Sequence, residues 1–273
     1  MTREQTNAEN ASAAIELQGL CKRFGSYQAV DRIDLTVARG EIFGFLGPNG
    51  AGKTTTIKML AGLLRPDAGR IRINGHDLSQ EPILCKQVTG YIPDRPYLYE
   101  KLTGNEFLRF MASLYQLPTQ HFADKTEYYL GLFDLLAWQD HLIKSYSHGM
   151  RQKLIMTAAL MLELPVLIVD EPMVGLDPKS ARLVKELFKR HAAAGGSIFL
   201  STHSLEIAQE LCDRIAIVIE GRLRVTGNLA DLRREAQLSD SGLEEIFLQL
   251  TGAQELQAII TALRNKELPC VAP

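Results

Sequence analysis

The most constraining feature of this chain is an eight-residue glycine-rich segment. It reads Gly47, Pro48, Asn49, Gly50, Ala51, Gly52, Lys53 and Thr54. Every fixed position of the phosphate-binding pattern G-x-x-x-x-G-K-[ST] is filled without substitution. The apolar run 41–46 before it is suited to a buried strand, and residues 54–61 after it can form a helix. This order predicts an α/β core around a loop that binds a nucleoside triphosphate.

The residues of this loop have separate predicted roles. Its glycines let the backbone curl so that N–H groups point at an anion, and the helix start adds unpaired N–H groups and a positive dipole end. We expect Lys53 to reach the β- and γ-phosphates of ATP and the Thr54 hydroxyl to ligate Mg²⁺, with Thr55 as a further nucleotide contact. The alternative is a glycine-rich turn that binds nothing.

A pair of carboxylates follows a second apolar run. Residues 166–169 precede Asp170 and Glu171, which places both acids at the carboxyl end of a strand, where open α/β sheets bind ligands. Asp170 is expected to hold the Mg²⁺ shell. Glu171 is the better candidate for polarising an attacking water, because in-line hydrolysis needs an acceptor beside the γ-phosphate. The alternative is that the two acids only end the strand before Pro172.

His203 follows a third strand candidate. Ser197–Ser201 reads as a strand, so His203 emerges at the same edge as Asp170 if the sheet is parallel. A lone histidine in this position is otherwise a satisfied surface or core residue. A parallel sheet therefore predicts a third catalytic group at the phosphate site.

In order and spacing, these motifs resemble the ATPase domain of ABC transporters, from about Ile15 to Gly252. The resemblance implies that Phe24 stacks on adenine, although one aromatic near a hairpin is often only core. It implies that His203 hydrogen-bonds the γ-phosphate and that Asp177 contacts the opposite subunit. Residues 97–103 resemble the surface that receives the coupling helix of a membrane partner.

The signature segment departs from the family pattern. Where the family usually has Leu-Ser-Gly-Gly-Gln, this chain has Tyr146, Ser147, His148, Gly149 and Met150. The retained Ser147 is a good helix N-cap and hydroxyl donor, so it can face an anion, or it can be an ordinary cap. Gly149 permits close approach. Met150 is expected to be a packing residue.

The loop after residue 91 carries the second departure. The family normally offers Gln to Mg²⁺ and the attacking water, and this chain has Asp94 there. Asp is shorter and charged, and it donates no hydrogen bond unless protonated. Asp94 is therefore either a metal-facing residue with altered coupling or a solvated turn residue between Pro93 and Pro96.

Composition excludes several classes of protein. The formal net charge of −2 gives no basic field for nucleic acid, and we expect no nucleic-acid partner. The four cysteines match no metal or redox spacing and indicate buried thiols in a reducing compartment. The longest apolar stretch, 154–162, is too short to span a bilayer. These features predict a cytoplasmic protein, and the resemblance implies that it is peripheral on the inner face of the cell membrane.

The coarse organisation predicts a P-loop NTPase sheet core with an antiparallel β subdomain and a helical subdomain. We expect a polar disordered tail over 1–13, the ATPase domain over 14–252 with its helical part at about 82–162, and a short extension over 253–273. Alternating runs at 15–20 and 33–37 predict antiparallel strands. A last amphipathic helix is expected at 243–250.

The chain has a single glycine loop, and the resemblance implies that one chain alone does not form a complete ATP site. In the family, Lys53 and Ser147 of one subunit serve different ATP molecules, so two chains must close face to face as a homodimer or heterodimer. Closure would drive a separate integral membrane permease, and export is favoured over import. A soluble ABC ATPase acting on nucleic acid or ribosomes is the alternative. A P-loop kinase leaves Ser147, Asp177 and His203 unexplained.

Overall fold

The computed structural model describes residues 13–238 and 241–252. Four strands form an antiparallel sheet in the order β2-β1-β4-β5. They are β1 (Ala13–Phe24), β2 (Tyr27–Ala38), β4 (Ala68–Ile73) and β5 (His76–Asp77). Buried and exposed residues alternate along the second half of β2, because one face of this sheet packs on the core. The predicted antiparallel β subdomain is confirmed, and Ala13, assigned to the tail, instead begins β1.

Six further strands form the central sheet in the order β10-β9-β3-β8-β7-β6. They are β3 (Ile42–Leu46), β6 (Thr89–Ile92), β7 (Val166–Asp170), β8 (Ser197–Ser201), β9 (Arg214–Ile219) and β10 (Arg222–Gly227). All neighbours are parallel except β9 and β10, which form a hairpin. The strands β3, β7 and β8 are buried throughout, as parallel strands covered on both faces should be.

Nine α-helices lie within the described residues. They are α1 (Lys53–Leu60), α2 (Pro82–Gln87), α3 (Gly104–Leu114), α4 (Thr119–Leu132), α5 (His148–Met161), α6 (Pro178–Ala193), α7 (Leu205–Leu211), α8 (Leu229–Glu235) and α9 (Leu243–Leu250). The predicted last helix coincides with α9. It packs with α7, α8 and β9 around a separate apolar cluster that includes Leu232 and Ile246. The predicted extension over 253–273 lies outside the described residues.

The helical subdomain is smaller than the sequence predicts. Its helices are α3, α4 and α5, whereas β6 within the predicted range 82–162 pairs in parallel with β7 and belongs to the central sheet. Cys85 of α2 is likewise buried in the cluster beneath the sheet. A strand of four residues is too short to show a periodic pattern in the sequence. Its backbone is paired with β7, the neighbouring strand of the sheet.

The helical subdomain shares one apolar core with the sheet. Leu108 of α3 and Leu154 of α5 belong to the same buried cluster as Leu167 of β7 and Leu200 of β8. The signature segment lies at the start of α5, and α5 packs through this shared core against β7, the strand that leads to the predicted carboxylates.

Candidate active site

The phosphate loop connects β3 to α1 with the backbone geometry that its glycines allow. Gly50 and Gly52 have φ angles of 80° and 98°, which disfavour residues with a side chain. A Cβ atom on Gly52 would lie 2.3 Å from the Ala29 carbonyl oxygen. The first helical bond of α1 runs from Thr56 N to Gly52 O at 2.9 Å, so the N–H groups of residues 53–55 have no carbonyl to bind within the helix. These groups are therefore available for the anion that the sequence predicts here.

Lys53 lies across this loop. Its Nζ donates to the carbonyl oxygens of Gly47 at 2.6 Å and Pro48 at 3.0 Å, and the residue is only 9% exposed. Burial lowers the pKa of the Lys53 ammonium below its ordinary value, and the nearby carboxylates of Glu171 and Asp170 act in the opposite direction. The cation is thus held at the loop by weak carbonyl partners, which a phosphate oxygen can replace.

The two carboxylates lie at the carboxyl end of β7, next to the loop. Asp170 is 5% exposed, and burial raises the pKa of its carboxyl, with a smaller contribution from the charge of Glu171. Glu171 has a φ angle of 49°, a left-handed conformation that costs about 1–3 kcal/mol in a residue with a side chain. Its N–H donates to Ser201 O of β8 at 2.9 Å, which fixes this turn.

Glu171 is bound by the two residues that follow β8. The His203 Nδ1 lies 2.8 Å from Glu171 Oε1, and the Thr202 hydroxyl donates to Glu171 Oε2 at 3.1 Å. His203 is exposed, whereas Thr202 is buried. Bringing Asp170, Glu171 and His203 to one edge follows from the parallel pairing of β7 and β8. No sequence motif marks Thr202, because a threonine after a strand carries no distinct signal.

Lys53, Glu171 and His203 line one cleft of about 410 Å³. It is lined by Tyr27, Ala29, Asn49, Gly50, Gly52, Lys53, Thr54, Thr55, Asp94, Glu171, Val174 and His203. Asp94 therefore faces the phosphate loop, and its charge contributes to the raised pKa of Asp170. Pro48 and Ala51 line an adjoining cleft of about 370 Å³ together with Tyr27.

Two aromatic residues meet at the end of the β1–β2 hairpin. Phe24 pairs with Tyr27 across the strands, and both side chains are about half exposed. The Tyr27 hydroxyl donates to Gly50 O at 2.9 Å, which was not predicted. Lys22 Nζ lies 5.7 Å from the centre of the Phe24 ring, and Phe24 lines neither cleft described above. The adenine-stacking role of Phe24 stays a prediction.

Ser147 and Gly149 lie away from the cleft of their own chain. The Ser147 side chain caps α5 by accepting from Met150 N at 3.3 Å, as its sequence context predicts. A Cβ atom on Gly149 would lie 2.9 Å from Gly175 O. Met150 packs against the core of the helical subdomain. Neither Ser147 nor Gly149 lines the cleft that holds Lys53.

Asp177 is bound within its own chain. Its carboxylate caps α6 by accepting from Ser180 N at 2.9 Å, and it pairs with Lys153 of α5 at 3.0 Å. The hydrogen bonds from Ser180 hold the pKa of this carboxyl well below its usual range, and Lys153 acts in the same direction. Its predicted contact with an opposite subunit stays a prediction.

A larger cleft lies elsewhere among the described residues. This cleft of about 840 Å³ lies between α4 and the end of α6. Two of its cations already have partners, because Lys125 pairs with Glu163 at 2.7 Å and Arg190 donates to the hydroxyls of Tyr128 and Tyr129. The converging polar groups of the smaller cleft therefore identify the reaction site better than volume does.

The predicted metal ligands suit Mg²⁺. Thr54, Asp170 and Asp94 offer only oxygen atoms, which Mg²⁺ prefers, and Mg²⁺ usually needs just one or two carboxylates beside water and substrate phosphates. Thr54 and Asp94 line the same cleft, and the charge of Asp94 reaches Asp170. The donor set is therefore compatible with this ion.

Comparisons with known proteins agree with this geometry. A family model described as ABC transporter matches residues 30–174. A daunorubicin resistance ATP-binding protein from Streptomyces coeruleorubidus is 37% identical over 253 residues, which cover 93% of this chain and 78% of the relative. A fluoroquinolones export ATP-binding protein from Mycobacterium tuberculosis is 35% identical over 282 residues, covering 99% and 92%.

Solved structures show the same fold. The structure of an ATP-binding subunit of an ABC transporter matches with a TM-score of 0.85 at 36% identity, covering 87% of this chain and 99% of that one. A dimeric ATP-binding cassette bound to ADP and Pi matches with a TM-score of 0.71 at 21% identity, covering 79% and 98%. No helix within the described residues is long and apolar enough to cross a membrane. The chain belongs to the ABC transporter family, as an ATP-binding and ATP-hydrolysing subunit that resembles the bacterial exporter type.

Proposed function

We propose that two copies of this chain, or one copy and a close relative, close around ATP and drive a separate membrane-spanning permease that exports its substrate. The observation that carries the proposal is the contact between Glu171 and His203, 2.8 Å apart at the cleft that Lys53 also lines. A general base and an electrophilic partner beside a phosphate cradle are the parts that in-line hydrolysis needs.

The residues of the cleft divide the reaction between them. Lys53 exchanges its carbonyl partners for phosphate oxygens, and Glu171 orients the attacking water and accepts its proton. Thr202 and His203 hold the Glu171 carboxylate from two sides, and the second ring nitrogen of His203 remains for the γ-phosphate. Mg²⁺, held by Thr54, Asp170 and Asp94, would neutralise charge on the phosphates.

The position of the signature segment supports hydrolysis between two chains. Ser147 caps a 14-residue helix whose N-terminal end favours an anion, yet the serine does not line its own cleft. A second subunit facing that end would supply the triphosphate. ATP then favours the closed pair because the γ-phosphate contacts both halves, and hydrolysis removes this preference.

An exposed aromatic patch supports contact with a permease. Tyr97 is 85% exposed and Tyr99 is 59% exposed, and the Tyr99 ring packs edge-on against Phe110 at 5.6 Å. Exposed apolar groups concentrated in one segment indicate an interaction site. The segment matches the range 97–103 that resembles a coupling-helix surface, and it would lie on the inner face of the cell membrane.

The direction of transport comes from the relatives. Their names attribute daunorubicin resistance and fluoroquinolone export to them, and we extend export as a class to this chain. A soluble ABC ATPase acting on nucleic acid or ribosomes remains the second candidate, although a net charge of −2 gives it no basic surface.

The first experiment tests closure. Glu171→Gln keeps the shape of the side chain but removes the base, so ATP should stay bound and hold a dimer that light scattering detects after size-exclusion chromatography. Glu186→Gln, an exposed glutamate of α6, is the matched control and should stay monomeric with wild-type turnover. A Glu171→Gln chain that is monomeric at saturating ATP contradicts closure of two identical copies around ATP.

The second experiment tests the permease. The wild-type chain, purified from native membranes, should carry with it a protein of several apolar spans, and Tyr97→Glu should release it. Tyr128→Glu replaces another exposed tyrosine, on α4, and should retain the partner. Salt-sensitive retention on nucleic acid without a membrane protein would favour the soluble alternative.

A further inference from the structure

Arg151 on the second turn of α5 has a guanidinium group with three oxygen acceptors. Its Nη1 donates to Glu100 Oε1 at 2.7 Å, its Nε to Tyr146 O at 3.2 Å and its Nη2 to Lys144 O at 3.2 Å. The side chain is only 25% exposed. Among the residues that the structure describes, no other arginine side chain is bonded to two carbonyls and a carboxylate together.

These acceptors belong to two segments of different predicted roles. Lys144 and Tyr146 lead directly into Ser147, whereas Glu100 lies in the exposed segment 97–103. The backbones are also joined, because Lys144 N donates to Glu100 O at 3.1 Å and Ile143 N to Leu102 O at 2.9 Å. Arg151 therefore closes a small paired unit that contains both segments.

The placement of this cation is unfavourable for the helix alone. A positive charge near the N-terminal end of a helix opposes its dipole, and the first turn of α5 contains no acidic residue. Simple helix stability therefore does not account for Arg151. The three hydrogen bonds account for an arginine at this position, because its planar guanidinium can donate to several oxygens at fixed angles. The single ammonium of lysine cannot reproduce this geometry.

We infer that Arg151 is a positioning residue for Ser147 and that its bond to Glu100 transmits movement of the segment 97–103 to the signature serine. The inference rests on the proposed role of Ser147 across the dimer. A shift of Glu100 pulls on the guanidinium, and the guanidinium holds the carbonyl of Tyr146, the residue before Ser147. Contact of a partner with the exposed aromatic segment would thereby change how Ser147 meets the nucleotide.

The chain contains a natural reporter for this unit. Trp138 is its single tryptophan. The Trp138 ring lies 6.2 Å from the Tyr146 ring, and Trp138 O accepts from the Tyr146 hydroxyl at 2.7 Å. Its fluorescence should therefore respond when the segment before Ser147 moves.

The test compares Arg151→Lys with Lys179→Ala. Lys179 also forms a surface ion pair, with Asp134 at 2.9 Å, but it bonds to neither segment. Arg151→Lys should lower kcat about tenfold or more, since a displaced group costs activity steeply, while KM stays within about twofold and the melting temperature within about 2 °C. In the Glu171→Gln background, it should also raise the ATP concentration at which the fluorescence of Trp138 changes. Lys179→Ala should match wild type in each measurement.

Four results would contradict the positioning role of Arg151 or the proposals on which it rests. Wild-type kcat and fluorescence in Arg151→Lys would overturn the inference, as would a loss of kcat that only follows a loss of folded protein. Glu100→Gln keeps a hydrogen-bond acceptor without the charge, and we expect it to lower kcat less than Arg151→Lys does. A Glu100→Gln chain whose kcat equals or exceeds that of wild type contradicts the link between Glu100 and Ser147. If Ser147→Arg also leaves kcat unchanged, the proposed role of Ser147 fails instead.

Discussion

The loop edge of the central sheet and the start of α5 present phosphate-binding groups in opposite ways. At the sheet edge, three strand ends bring Lys53, Glu171 and His203 of one chain to a common cleft. At the start of α5, Ser147 caps its helix and does not line that cleft. The first region is assembled by a single fold, whereas in the proposed function the second acquires a substrate only from another subunit.

This difference shows where control can enter. The sheet edge is held by buried parallel strands and resists small movements, because such cores are closely packed. The start of α5 is held by a few hydrogen bonds, several of them from Arg151. If the inference about Arg151 holds, a partner regulates turnover through the second region without disturbing the first.

Removing the cation of the sheet edge gives the largest expected loss. Lys53→Ala should lower ATPase turnover by about 100-fold or more, because a preorganised donor to the phosphates is lost. Lys58→Ala is the matched control, since Lys58 is exposed near the end of the same helix. The measurement is steady-state phosphate release, and unchanged turnover in Lys53→Ala would refute the assignment of the loop.

The corresponding change at the start of α5 should separate binding from hydrolysis. Ser147→Arg places a bulky cation on the face that meets the other subunit and should lower turnover about tenfold or more, as repulsive groups at interfaces do. ATP binding to the monomer, measured by equilibrium titration, should persist. Ser113→Arg adds the same charge on the exposed face of α3 and should be neutral. Surviving activity would show that the signature does not act across an interface.

Sequence and structure agree best where a motif dictates backbone geometry. The glycine pattern predicts the loop, and the apolar runs predict β3, β7 and β8, so the joint position of Asp170 and His203 follows from parallel pairing. Thr202 escapes prediction because its contact with Glu171 needs the turn after β8. The three acceptors of Arg151 lie 51, 7 and 5 residues away along the chain, and no local pattern encodes this combination.

Strand β6 was missed for a related reason. Thr89–Ile92 is only four residues long, and pairing with β7 determines its conformation. The predicted subdomain boundary at about 82 is therefore too early, since α3 begins at Gly104. Asp94 lies in the segment between the two and lines the cleft beside the phosphate loop. Whether it faces the metal or is only a solvated turn residue between Pro93 and Pro96 stays a prediction.

Asp94 lines the cleft at the sheet edge and offers a sharper test of that region. Asp94→Gln should lower KM for MgATP and raise turnover by about two- to fivefold, because a negative charge beside the phosphates is removed. Asp94→Asn removes the charge at constant side-chain length, so the pair separates charge from reach. If both variants match wild type, Asp94 is a solvated turn residue.

Substitutions of the aromatic residues in the β1–β2 hairpin test whether the β subdomain binds the base of ATP beside the sheet edge. Phe24→Ala should weaken ATP binding about fivefold through lost stacking on the base, while Phe24→Tyr keeps the ring and should bind normally. Tyr27→Phe loses only the bond to Gly50 O and should weaken binding about twofold. A weak effect of Phe24→Ala beside a strong effect of Tyr27→Ala would move the adenine site to Tyr27.

The smallest expected effect concerns stability without nucleotide. Burial raises the pKa of Asp170 in the folded chain, so its favourable contribution belongs to the protonated form and is lost as pH rises through the folded value. At neutral pH, the charged carboxylate therefore destabilises the nucleotide-free fold. Asp170→Asn should raise the melting temperature by a few degrees at pH 7, and this gain should shrink as the pH is lowered through the titration of Asp170. Asp124→Asn, at an exposed position of α4, should leave the melting temperature unchanged. A lower melting temperature in Asp170→Asn at pH 7 would mean that the attraction of Lys53 outweighs burial, and the sheet edge would then be stabilised by the same charges that it uses for catalysis.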